Sequence, residues 1–126
     1  MFKLVLCGSM RNYEKMVAIK AELTTNGIIG ILPTSEIENK TKKELSLEHF
    51  NNIACENTDG ILVVNVPKDN INNYIGPNAF AEIAVATFLN KKVFILNGIY
   101  DFYKDELQGW DVICLYGNLK ELVSWK

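Results

Sequence analysis

Five short apolar runs recur along the chain: Phe2 to Cys7, Ile28 to Leu32, Asp59 to Val66, Lys92 to Leu96 and Val112 to Tyr116. Within them the apolar residues are near-continuous instead of alternating with polar ones. A strand of that kind must be covered on both faces, as in a parallel sheet flanked by helices. The stretches between the runs have helical spacing. Asn12 to Asn26 sets Met16, Ile19 and Leu23 on one face and ends at Asn26 and Gly27, a pair suited to a C-terminal stop. Thr41 to Thr58 does the same with Leu47, Phe50, Ile53 and Ala54, Ala79 to Asn90 follows the turn Gly76-Pro77-Asn78, and Asn118 to Trp125 reads as a short closing helix. This alternation predicts a doubly wound α/β domain with five parallel strands in the flavodoxin-like order 2-1-3-4-5, spanning residues 1–126 as a single unit.

Length agrees with a single unit, since 126 residues at 48% hydrophobic content can bury a core without disulfide or metal staples. Thirteen basic residues against fifteen acidic ones leave a net charge of −2, and the basic residues are scattered apart from Lys40, Lys42 and Lys43. No general attraction to a nucleic-acid polymer or an anionic membrane follows from such a charge pattern. Cys7, Cys55 and Cys114 lie far apart and read as small buried hydrophobes in a reducing compartment, not as a disulfide framework or a zinc site. The apolar stretch in MFKLVLCGSMR is too short for a signal segment or a membrane span, so a cytoplasmic setting is expected.

Ligands of an open α/β sheet bind beyond the carboxyl ends of the strands, where strand order reverses. For the predicted order that point lies between the first and third strands. The loop Gly8-Ser9-Met10-Arg11 and the segment from Asn65 to Glu82 should therefore face each other. Gly8 allows close backbone approach, Ser9 offers a hydroxyl, and the next helix presents free N–H groups. Together these suit an anion such as phosphate, to which Arg11 adds a charged fork. Equally, Gly8 and Ser9 turn and cap a helix while Arg11 is solvated; the loop is neither a P-loop nor a dinucleotide fingerprint. In the second segment Asn78 reads as an N-cap, and Glu82 falls in or just past the first helical turn, where the helix dipole favours a carboxylate. An ionised, partly desolvated carboxylate beside an anion site suits a nucleophile toward a sugar anomeric carbon. The plainer alternative is a Glu that only complements the dipole.

CGSMR (Cys7 to Arg11), TDGILVVN (Thr58 to Asn65), YIGPNAFAEIAVA (Tyr74 to Ala86) and NKKVFIL (Asn90 to Leu96), in this order, resemble the nucleoside 2-deoxyribosyltransferase-like superfamily, which includes 2′-deoxynucleoside 5′-phosphate N-hydrolases. The resemblance implies a flavodoxin-like homo-oligomer, often a dimer, that cleaves or exchanges the N-glycosidic bond of a deoxynucleoside or its monophosphate. No metal or organic cofactor is implied. Glu82 occupies the place of the catalytic nucleophile. Gly8, Ser9 and Arg11, with Met10 between them, occupy the place of the loop that holds the 5′-phosphate and sugar, while Gly76 and Asn78 sit where the helix-opening loop meets the substrate.

The chain departs from that pattern at the second carboxylate of the hydrolases, whose place falls near Asn51 with His49 close by. His49, the one imidazole of the chain, is a candidate acid or base and equally a helix-surface residue. Asp59 is a weaker catalytic candidate, better suited to accepting backbone N–H bonds. Tyr74 suits stacking on a nucleobase or packing of its own loop. Tyr100, Phe102, Tyr103 and Trp110, after the fourth strand, suit a cover, a subunit contact or a satellite apolar cluster. The leading expectation is a glycosidic-bond enzyme acting on a nucleoside or nucleotide; the alternative is a catalytically silent nucleotide-binding or sensing module of the same fold.

Overall fold

In the computed structural model, which describes residues 1–34 and 39–126, strands β1 (Lys3–Cys7), β2 (Ile29–Ile31), β3 (Gly60–Val63), β4 (Lys92–Ile95) and β5 (Ile113–Cys114) form one sheet. Its order is β2-β1-β3-β4-β5 and every pairing is parallel. The fold is flavodoxin-like, as the alternation of strand and helix predicts. Helices α1 (Tyr13–Thr25), α2 (Lys42–Ala54), α3 (Pro77–Phe88) and α4 (Lys104–Gly109) cover it. None of these helices is long and apolar enough to cross a membrane.

Each inner strand splits its side chains between two cores, which is why its sequence shows no polar alternation. Leu4, Leu6, Leu62, Val64, Phe94 and Leu96 point to one side, where Met16, Ile19 and Leu23 of α1 and Leu119 and Leu122 cover them. Val5, Cys7, Ile61, Val63, Val93 and Ile95 point to the other, against Ile53 of α2, Ala79, Ile83 and Ala86 of α3 and Leu107 of α4. Cys7 thus ends β1 facing the α2–α3 side. Gly60 begins β3 where a Cβ would collide with the Lys92 carbonyl, so the β3–β4 approach itself demands glycine.

Several boundaries differ from the sequence reading. The β3 ladder stops at Val63, with Val64 and Val66 still packed in the first core, and β5, an edge strand, keeps two residues. Helix α2 ends at Ala54, and the closing helix over Leu119–Trp125 is 3-10. Helix α4 was not expected: at six residues it is too short to show a period. Asn78 does not cap α3. That helix starts a step earlier, with Gly76 as N-cap and Pro77 as its first residue, because proline's fixed φ suits the first helical position. The helix ends that did match are chemically marked. Gly27, at φ 74°, closes α1 while the Ile28 N–H reaches the Leu23 carbonyl, and Thr41 and Glu44 form a reciprocal capping box on α2.

Candidate active site

The carboxyl ends of β1 and β3 lie side by side, tied by the Val64 N–H to the Cys7 carbonyl at 2.8 Å. From that junction the chain turns outward at Gly8, where a Cβ would stand 3.2 Å from the Val64 carbonyl oxygen. The crevice above is lined by Gly8, Ser9, Arg11, Tyr74, Gly76 and Ala79, among others. The loops expected to converge at the switch point therefore do so. The water-sized space inside is ≈ 10 Å³, room for about one water molecule.

Ser9 accepts the Arg11 N–H at 3.4 Å and caps a 3-10 turn, Met10–Asn12, that leads into α1. Arg11 is exposed, and its guanidinium makes only long contacts, 3.4 Å to Asn12 Oδ1 and 3.5 Å to the Pro67 carbonyl. Contacts of that length leave its donors available to an anion. Met10 and Asn78 are exposed and do not line the crevice. Tyr74 does, with its ring 5.5 Å from that of Tyr100 and Lys68 Nζ 5.0 Å from its centroid.

The opposite wall is stapled by amides. Asn65, 1% exposed at the end of β3, donates to the carbonyls of Asn73 and Gly98 and accepts the Asn97 N–H at 2.9 Å. Asn73 in turn accepts from the Gly98 N–H and donates to the Ile99 carbonyl. These bonds join the loop that carries Tyr74 to the loop that carries Tyr100. Phe80, Tyr103 and Trp110 stack behind them, with centroids 4.0 Å and 5.6 Å from Phe80. Tyr100, Tyr103 and Trp110 are half-buried against the second core, whereas Phe102 is 76% exposed.

Glu82 stands one turn beyond Ala79 on α3, with its side chain 13% exposed. It lies past the first turn, so the helix dipole contributes little to it. Its partner is His49 of α2, whose Nε2 lies 3.0 Å from Glu82 Oε2. Nε2–H donates to the carboxylate, while the buried Nδ1 has no hydrogen-bond partner among the described residues. His49 is therefore no surface residue. Cys7 completes the cluster: its Sγ is 3.5 Å from the same Nε2, and the three ligand atoms lie within 4.8 Å of one another.

Cys7 was expected to be a packing residue and is fully buried, but it also faces the carboxylate. Burial pushes its thiol well above the ordinary value, and the charge and hydrogen bonding of Glu82 act in the same direction. A thiol held protonated is a poor nucleophile. The cluster is also not a nucleophile–base–acid triad, because Cys7 and Glu82 share one ring nitrogen instead of taking one each. Of the other cysteines, Cys55 is exposed and so no core hydrophobe, while Cys114 is half-buried on the edge strand against the second core. Asp59 stands at the amino end of the sheet, away from this site, where it accepts the Lys3 N–H at 2.8 Å.

Fold and site together define a flavodoxin-like α/β domain with a hydrogen-bonded Glu–His pair one helical turn from the crevice at the carboxyl ends of β1 and β3. Comparison with protein-family models, curated proteins and solved structures finds no match to this chain.

Proposed function

We propose that the protein cleaves or transfers at the N-glycosidic bond of a nucleoside or deoxynucleoside, or its 5′-monophosphate, with Glu82 as the nucleophile. The observation that carries this reading is the 3.0 Å Glu82–His49 pair, partly desolvated, one turn along α3 from Ala79, which lines the crevice with Gly8, Ser9 and Arg11. In this reading Arg11 and the Ser9 hydroxyl hold the sugar phosphate, and Tyr74 borders the base. Glu82 attacks C1′ as the base departs with the bonding pair and takes a proton from solvent, giving a glycosyl ester; water, losing a proton, or a second base then takes the sugar and frees the carboxylate. His49 orients Glu82 and is not the acid for the departing base, since its Nε2–H is already given to Glu82 and its Nδ1 is buried. The likeness of CGSMR and YIGPNAFAEIAVA to the nucleoside 2-deoxyribosyltransferase-like superfamily supports the same assignment, and with it a homodimer as the working assembly.

One observation favours a second reading, a nucleotide-binding or sensing module without turnover: no acidic side chain is found among the described residues that line the crevice. A single assay separates the two. Purified protein is incubated with deoxynucleosides, ribonucleosides and their 5′-monophosphates, with and without an acceptor base, and free base is followed by chromatography. Glu82→Gln should cut base release by about a thousandfold or more while ligand-induced thermal stabilisation persists. Stabilisation without base release from the unaltered protein would instead favour the binding module.

A further inference from the structure

We propose that Cys7, His49 and Glu82 form a binding site for a thiophilic divalent cation, zinc foremost, and that its occupancy withdraws Glu82 from nucleophilic service. The regulatory half rests on the glycosidic reading of Glu82; the binding half does not. The three residues come from β1, α2 and α3, and their ligand atoms lie within 4.8 Å of one another. Zinc bonds of about 2.3 Å to sulfur and 2.0–2.1 Å to nitrogen, set at a tetrahedral angle, separate the two ligand atoms by about 3.5 Å. Cys7 Sγ and His49 Nε2 are already 3.5 Å apart. The edge from Glu82 Oε2 to Nε2, now 3.0 Å, has to lengthen by a few tenths of an ångström to match about 3.4 Å, and the edge to Cys7 Sγ lies within 4.8 Å.

A thiolate, an imidazole and a carboxylate select zinc, or cobalt as its spectroscopic stand-in, over magnesium and calcium, which take oxygen ligands. On binding, the Cys7 thiol proton leaves to solvent and the imidazole proton moves from Nε2 to Nδ1, so that sulfur, nitrogen and one carboxylate oxygen each give a lone pair to the metal. Three protein ligands leave a fourth position for water. The missing partner of Nδ1 then has a consequence. Zinc-binding histidines usually give the other ring N–H to an acceptor, and losing that acceptor weakens binding by about 10–100-fold. His49 Nδ1 has none among the described residues, so the site should hold its metal more weakly than one with that support.

The test is a titration of the metal-free chain with Co²⁺ alone. A thiolate-to-cobalt charge-transfer band should appear at one equivalent, disappear on adding Zn²⁺, and be missing from Cys7→Ser while Cys55 and Cys114 remain. Glu82→Gln, changed at a partly exposed position, should weaken cobalt binding by about tenfold or more. No band from the folded unaltered protein, or an undiminished band from Cys7→Ser, would overturn the site, and unchanged affinity in Glu82→Gln would remove Glu82 from it. Saturating Zn²⁺ should stop base release and a chelator restore it. Base release indifferent to bound zinc would overturn the regulatory half, whereas a cobalt band in a protein that never releases base would leave the site standing and count against the glycosidic reading.

Discussion

At the scale of single residues, the Cys7 thiol carries a measurable signature. Its raised folded value means that the folded chain holds a proton which the unfolded chain begins to lose at about pH 8.5. Stability from this group is therefore fully present below that pH and declines as pH rises toward the folded value, by at most about 1.4 kcal/mol per pH unit. Urea melts of the unaltered protein between pH 7 and pH 10 should fall more steeply than those of Cys7→Ala, and parallel curves would show that the thiol ionises freely. His49 offers a separate test. His49→Ala leaves Glu82 unheld and should lower kcat by about a hundredfold with little change in KM, since misplacement of a reacting group by about 1 Å has that order of cost. His49→Gln, which keeps an N–H near the former Nε2, should recover most of the loss; equal damage from both variants would point to a packing role. Sequence alone marked Glu82 and His49 as separate candidates. Their pairing was not legible there, because it depends on α2 and α3 packing over the end of β1, and Cys7, read as a small hydrophobe, carried no mark of its polar neighbours.

At the scale of elements, the amide staple from Asn65 joins two loops distant in sequence. Asn65→Ala removes two donated bonds and one accepted bond from a buried position and should cost about 2–4 kcal/mol in urea unfolding. A cost within about 0.5 kcal/mol, typical of surface changes, would mean that water replaces the amide without loss. Element type and order were legible in the sequence because the continuous apolar runs, the helical spacing between them and the Gly27 stop each have one strong physical reading. Where competing signals were close, boundaries were not. Asn78 is a favourable cap by residue type, yet Pro77 fixed the first turn ahead of it. Helix α4 is held by Leu107 in the second core and by the neighbouring aromatic residues, a tertiary cause that leaves no period in six residues.

At the scale of the whole molecule, the two cores are two sides of the same strands: Leu4 and Leu6 face one, Val5 and Cys7 the other. Neither can be lost while the other keeps its sheet. Trp125 packs on Phe94 in the first core, with centroids 5.4 Å apart, and Trp110 packs with Phe80 against the second. Fluorescence of Trp110→Phe and Trp125→Phe should therefore show each remaining tryptophan unfolding in step with the far-UV circular dichroism of the same variant. Separate midpoints within one variant would mean that the sheet does not couple the cores. The crevice itself is unequal from side to side. One jaw is anchored through Asn65, Asn73 and Asn97, while on the other the Arg11 side chain makes only two long contacts, at 3.4 and 3.5 Å. Under the proposed function, nucleotide traffic should run on the Arg11 side. In that reading an incoming phosphate exchanges a weak carbonyl contact for a charged one, so the group that admits the ligand also sets how long it stays.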